Sequence, residues 1–186
     1  MLTKWAKEIM MSRTSSNSSP LPQASYPSLS DQKATIAAKK HDGSSIFITP
    51  FLYGGFSTTL STVAAMYSVA IYVGSDDTPA TDEDYTLGNV ISTVSGTASS
   101  FYLQDSDGNM EICIDLTIRN TSSAEISIKE IGYTCEAYIS NTEGGTPVYS
   151  DRAVILMDRT VLGTSMNIAA GDSGVLRYKF KYPASE

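Results

Sequence analysis

The chain is poor in the residues that do chemistry. Its 186 residues include one histidine, one tryptophan and two cysteines. Nucleophilic hydrolysis needs a base beside the nucleophile. The single base of that kind, His41, adjoins the turn signal Asp42-Gly43, with no Gly-x-Ser-x-Gly elbow near it and no cysteine in a shared motif. A serine or cysteine hydrolase is therefore not expected. Zinc has no Cys/His set to bind it, and no Gly-x-x-x-x-Gly-Lys loop is present to cradle a nucleotide. The expectation is a non-enzymatic protein without a cofactor.

Charge is scarce as well. Charged residues make up 18%, below the usual level of about a quarter, and Ser, Thr and Gly stand in their place. A helical bundle needs charged helix formers on its wet face, so this composition disfavours one. Lys and Arg number 13 against 20 Asp and Glu, for a formal charge of −7. A scattered, outnumbered set of basic residues repels phosphate, which argues against nucleic-acid binding. No apolar run approaches the ~20 residues of a membrane helix. Lys4, Trp5 and Lys7 open the chain without an apolar signal-peptide core of ~7–15 residues, so use without Sec export is expected.

What is present is alternation. Met110, Ile112, Ile114, Leu116 and Ile118 fall at every second position, and Ile126 and Ile128 begin another such run after the polar turn 120–124. Period two is the pattern of a half-buried strand. Read locally, residues 109–139 form one long antiparallel pair. In such a hairpin Cys113 faces about Ile131 and not Cys135, so two reduced, half-buried thiols are expected rather than a bridge. The phase of alternation flips at Glu130-Ile131-Gly132, which calls for a bulge or a sheet-changing corner.

Elsewhere Asp42-Gly43 is a hairpin turn between strands at 35–40 and 45–52. The run 66–73 is a buried strand ending at Gly74. Further strands are expected at 87–94, 99–103 and 154–157. In the final strand, 174–182, Val175, Arg177, Lys179 and Lys181 alternate with Leu176, Tyr178, Phe180 and Tyr182. Eight or more short strands with frequent turns mean a sandwich or barrel. The fold class expected is all-β: an antiparallel β-sandwich of jelly-roll or immunoglobulin-like type over residues 35–186.

Residues 1–34 read differently. Leu2, Trp5 and Ile9 share one face of a short helix over 2–11, too short to be stable alone. Residues 12–31 are rich in Ser and Pro and read as an extended arm, since proline denies the backbone its donors. Leu21, Tyr26 and Leu29 recur along it. Trp5, Ile9, Leu21, Tyr26 and Leu29 are the candidate anchors of an assembly interface.

Three segments carry a resemblance as an ordered set: 72–87, 116–133, and 154–161 followed by 168–171 and 176–180. Together they resemble a group of small tailed-bacteriophage and prophage proteins that look like virion structural components. The resemblance spans about 70–182 and leaves out the arm. It implies location in the virion, other capsid, portal, neck or tail subunits as partners, and homo-oligomeric assembly. It does not choose among head decoration, neck or collar, and tail. The alternative is a carbohydrate-binding module for host attachment, with Tyr85, Phe101, Tyr102, Tyr138 and Tyr149 as scattered aromatic candidates.

Two acidic stretches are candidate ion sites. The segment 105–111 has its Gly at the fourth position, where an EF-hand loop needs it at the sixth, and Asp-Gly between strands is first a hairpin turn. Asp76, Asp77, Asp82, Glu83 and Asp84 form the densest acidic group; a solvated loop is the simpler reading than a metal or glycosidase site. Within the resembling segments Asp158-Arg159-Thr160 is expected to end an inner strand, with Arg159 placed to pair with a carboxylate such as Glu130.

Overall fold

The computed structural model describes residues 1–4, 6, 36–53, 60–63, 66, 68–104, 110–139 and 152–182. These form an all-β structure with eight strands in two antiparallel sheets. The larger sheet holds β1 (Ile36–Lys39), β2 (Ser45–Tyr53), β3 (Ile71–Gly74), β6 (Ile126–Ile139) and β7 (Arg152–Ile168). The smaller sheet holds β4 (Val94–Gln104), β5 (Met110–Asn120) and β8 (Ser173–Tyr182), in the order β4-β5-β8.

The long β6 organises the larger sheet. β7 pairs along one side of it from Ile126↔Ile168 to Tyr138↔Arg152. β2 and β3 follow one another along its other side, at residues 136–139 and 130–133. The inward faces of the two sheets share one core. Ile114, Leu116, Ile118 and Tyr178 of the smaller sheet meet Ile71, Val73, Ile128, Ile131, Tyr133 and Ile155 of the larger. The sandwich expected from the alternating strands is therefore present, with Ile114 and Leu116 fully buried and Thr117 exposed.

The hairpin expected over 109–139 is not present. β5 and β6 lie in different sheets, so 120–124 is an arch across the sandwich and not a tight turn within one sheet. Period two fixes which face of a strand is buried, and it carries no information about which strand lies alongside. Asn120 makes the arch. Its side-chain amide donates to the carbonyls of Ala124 (2.7 Å), Ile168 (2.9 Å) and Ala169 (3.1 Å), and its Oδ1 accepts from the backbone and hydroxyl of Ser122. One fully buried side chain thus ties the end of β5 to the β7–β8 turn. Cys113 and Cys135 consequently lie in opposite sheets, both buried and not bridged.

The phase flip at 130–132 is a bulge. Ile128 pairs with Met166, but Glu130 pairs with Val161, so β7 carries the extra residues 162–165. Ile131, Tyr133 and Cys135 then face the shared core, and Glu130, Gly132 and Thr134 face outward. The strand expected at 154–157 is the first part of a strand of 17 residues, so Asp158-Arg159-Thr160 sits mid-strand rather than at an end. The segment 87–93 is not a separate strand. It folds back on β3, through a Gly74↔Val90 bridge and Ile91 N–H donating to the Val73 carbonyl.

The turn expected at Asp42-Gly43 joins β1 to β2, with Gly43 at φ 81° and Asp42 accepting from the Ser44 amide. The start of the chain is not a lead-in detached from the body. Leu2 bridges Asp158 on the outer edge of β7, the Thr3 amide donates to the Met157 carbonyl, and Ala6 lies in the shared core. Most of the helix expected over 2–11, and the arm 12–31, lie outside the described residues.

Candidate functional site

The most densely bonded polar site sits on the outward face of the larger sheet. There the segment 75–91 crosses β6 and β7. Met66, Ala70, Tyr72, Leu87 and Leu156 make a second apolar cluster beneath it. At its edge Arg159 is 3% exposed, and Glu130 beside it is fully buried. Arg159 Nε donates to Glu130 at 2.7 Å, Nη1 to Asp84 at 2.9 Å, and Nη2 to Asp76 at 3.0 Å and to the Thr78 carbonyl at 3.1 Å. The pairing expected between Arg159 and Glu130 is present, and two carboxylates join it that the sequence did not single out for that role.

Three carboxylates around one cation would repel one another without further donors. The amides of Gly88 and Asn89 donate to Glu130, the amide and hydroxyl of Thr81 to Asp84, and the Thr78 hydroxyl to Asp76. Burial opposes ionisation of Asp84, but the Thr81 backbone and Arg159 outweigh it and hold the carboxyl below its ordinary range. Burial likewise opposes the Arg159 charge, and the hydrogen bonds it donates to Asp84 and Glu130 override it and raise its pKa. The close approach needs absent side chains: a Cβ at Gly74 would meet Glu130 Oε1 at 2.2 Å.

The acidic loop is held at two more points. Lys129 reaches Asp77 at 2.8 Å and Lys4 reaches Glu83 at 2.7 Å, both at the surface. The expectation of a simply solvated loop gives way to a loop fastened by basic residues of distant segments. Among the described residues no group of three or more His, Cys, Asp or Glu side chains is arranged to hold a metal ion. Of the segment 105–111, compared above with a calcium loop, residues 105–109 lie outside the described residues, between two strands paired up to Gln104↔Met110.

A second polar group occupies the inward side of the same strand. Asp158 accepts from the Tyr178 hydroxyl and from Thr160 Oγ1 at 2.9 Å, with the Met1 ammonium 3.1 Å away. Burial, then the Asp158 charge, push the Tyr178 hydroxyl well above its ordinary pKa. Adjacent residues of one strand point to opposite faces, so Asp158 and Arg159 tie two different layers to β7. A carboxylate inside the apolar run 154–161 was the available sign of Asp158's role.

The five expected anchors, Trp5, Ile9, Leu21, Tyr26 and Leu29, lie outside the described residues. Of the aromatic candidates, Tyr85 packs on the chain itself: Lys39 Nζ stands 5.2 Å from its ring centre. His41 is half-buried beside its turn. The chain matches no protein-family model, no curated protein and no solved structure.

Proposed function

We propose that this protein is a non-enzymatic structural component of a tailed-bacteriophage virion, assembling in several copies with capsid, portal, neck or tail subunits. One observation carries the reading. Parts of all three segments that resemble phage virion proteins meet at the Arg159 clamp. Segment 72–87 supplies Asp76, Thr78 and Asp84, segment 116–133 supplies Glu130, and segment 154–161 supplies Arg159. What the resemblance picks out is a device that fastens a loop to a sheet. Every nitrogen of the guanidinium is bonded within the chain, which suits a structural role better than substrate binding.

The carbohydrate-binding alternative draws on exposed aromatic platforms. Tyr85 gives it little support, because Lys39 and the Gly43 turn pack against its ring. The test is mass spectrometry and immunogold labelling of particles purified from a lysate of the encoding strain. The expected result is the chain in fixed multiple copies per particle. Its absence from particles, with saturable binding on a glycan array, would replace this reading with the alternative. Replacing residues 12–31 by a Gly/Ser stretch of equal length tests the arm: the protein should stay folded and lose incorporation.

A further inference from the structure

The segment 1–4 grips two parts of the molecule at once. Along the outer edge of β7, Leu2 bridges Asp158, the Thr3 amide donates to the Met157 carbonyl at 3.0 Å, and the Arg159 amide donates to the Met1 carbonyl at 3.1 Å. On its other side the Lys4 amide donates to the Asp82 carbonyl at 2.8 Å, and the Lys4 side chain reaches Glu83 at 2.7 Å. Thr3 and Ala6 are fully buried. The Thr3 hydroxyl donates to the Leu156 carbonyl at 3.0 Å and accepts from the Ala6 amide at 3.3 Å. The segment is therefore seated in the body and not laid over it.

The loop that it touches is the clamped one. The amide and hydroxyl of Thr81 donate to the Asp84 carboxylate, which ties residues 81–84 into one turn. Lys4 holds that turn at Asp82 and Glu83, and Arg159 holds it at Asp84. Arg159 serves both neighbours: its backbone amide bonds the segment, and its guanidinium bonds the loop. Displacing the segment thus disturbs β7 at the residue that carries the clamp, and displacing the loop pulls on Lys4.

The strength of these contacts decides which yield first. β7 pairs with β6 from Ile126↔Ile168 to Tyr138↔Arg152, whereas the segment meets it around Asp158. Opening is easiest where the fewest buried contacts and bonds must break together, and an exposed pair such as Lys4 with Glu83 contributes little. We infer that segment 1–4 is a latch for loop 75–91, and that the two open and close as one unit without unfolding the sandwich. Opening frees the edge of β7 at 157–159 and lifts Leu87 from Met66, Tyr72 and Leu156. The coupling is reciprocal, so loosening either part loosens the other. The inference does not rest on the virion reading, since every contact in it lies within one chain.

The experiment is hydrogen exchange of the full chain, read at single amides. Thr3→Val removes both bonds of the hydroxyl. It should speed exchange about fivefold at Gly88 and Asn89, the ratio for one buried hydrogen bond lost, and leave the amides of β5 unchanged. These two amides bond Glu130 on β6, so they report the clamp and not the grip of Lys4. Asp84→Asn loosens the loop from within and should speed exchange at Thr3 and Lys4. Lys4→Ala, at the surface, should repeat the first pattern more weakly, and it serves if Thr3→Val fails to fold. Loop amides unmoved by the segment variants overturn the latch, as do segment amides unmoved by Asp84→Asn. Equal acceleration in β5 also overturns it, because only global unfolding would then have become easier. Absence of the chain from particles would remove the function proposed above and leave these exchange patterns as they are.

Discussion

The two sheets of this sandwich are finished to different degrees. Among the described residues, segments of the chain line parts of the larger one: residues 1–3 run along the outer edge of β7, 60–61 and 89–91 along β3, and the loop 75–91 over part of its outward face. The smaller sheet presents Thr97, Ser99, Thr117, Arg119, Val175 and Lys179 to solvent, with Val175 73% exposed. Its ion pair, Arg177 with Asp115 at 2.6 Å, lies in the open, whereas the clamp at Arg159 is buried. Among the described residues, the chain's own segments cover more of the larger sheet than of the smaller. The difference between the two sheets, among the described residues, lies in what crosses over each.

The comparison is broken most forcefully at Arg159. Arg159→Met should leave Glu130 buried without its cation and cost ~3–5 kcal/mol of stability, as for other broken buried pairs. Urea denaturation measures it, and adding Glu130→Leu should restore part of the loss. An unchanged midpoint would mean that the clamp does not hold the loop. Next in size is the shared core, which belongs to both sheets. Ile114→Ala should cost ~2–5 kcal/mol, and Thr117→Ser, one strand face away, much less. Equal losses at the two positions would contradict the assignment of faces.

The edge cover should register more weakly. The Thr3 hydroxyl donates to the Leu156 carbonyl at 3.0 Å in a buried setting, so Thr3→Val should cost about 1 kcal/mol and speed hydrogen exchange at the Arg159 amide. Acid offers a graded probe of the clamped side. Asp84 has a folded pKa below its ordinary value, so the unfolded chain takes up its proton first as pH falls. The stabilisation is complete above about pH 4, the ordinary aspartate value, and is lost as pH drops through the lower folded value. Asp84→Asn should flatten the acid limb of a stability–pH curve in that window. The smallest effect is expected on the open side: Arg177→Ala should leave the midpoint nearly unchanged, since exposed pairs contribute little. A large loss there would erase the contrast between the sheets.

Some of this was readable in advance at particular residues. Asp42-Gly43 marks its turn because a left-handed glycine is a local demand. Val175 to Lys179 alternate correctly because a strand's two faces are fixed by position along the chain. The pairing of Arg159 with Glu130 was legible because a cation and an anion inside apolar runs each need a partner. Asp76 and Asp84 were not legible as its other partners, because five acidic residues in one loop are interchangeable until the loop is placed. Asn120 looked like an ordinary turn residue, and its bonds to Ile168 and Ala169 depend on segments about fifty positions away.

By itself, then, the sequence determined the class of structure and the inward faces of β5 and β6. Those follow from a residue's own chemistry and its neighbours at spacing two. Only the tertiary structure decided that β5 and β6 part company across an arch, and that the acidic loop is clamped. Each of those depends on which distant segment arrives alongside. The backbone hydrogen bonds that join strands are nearly the same for every residue, so they leave little trace in the order of side chains.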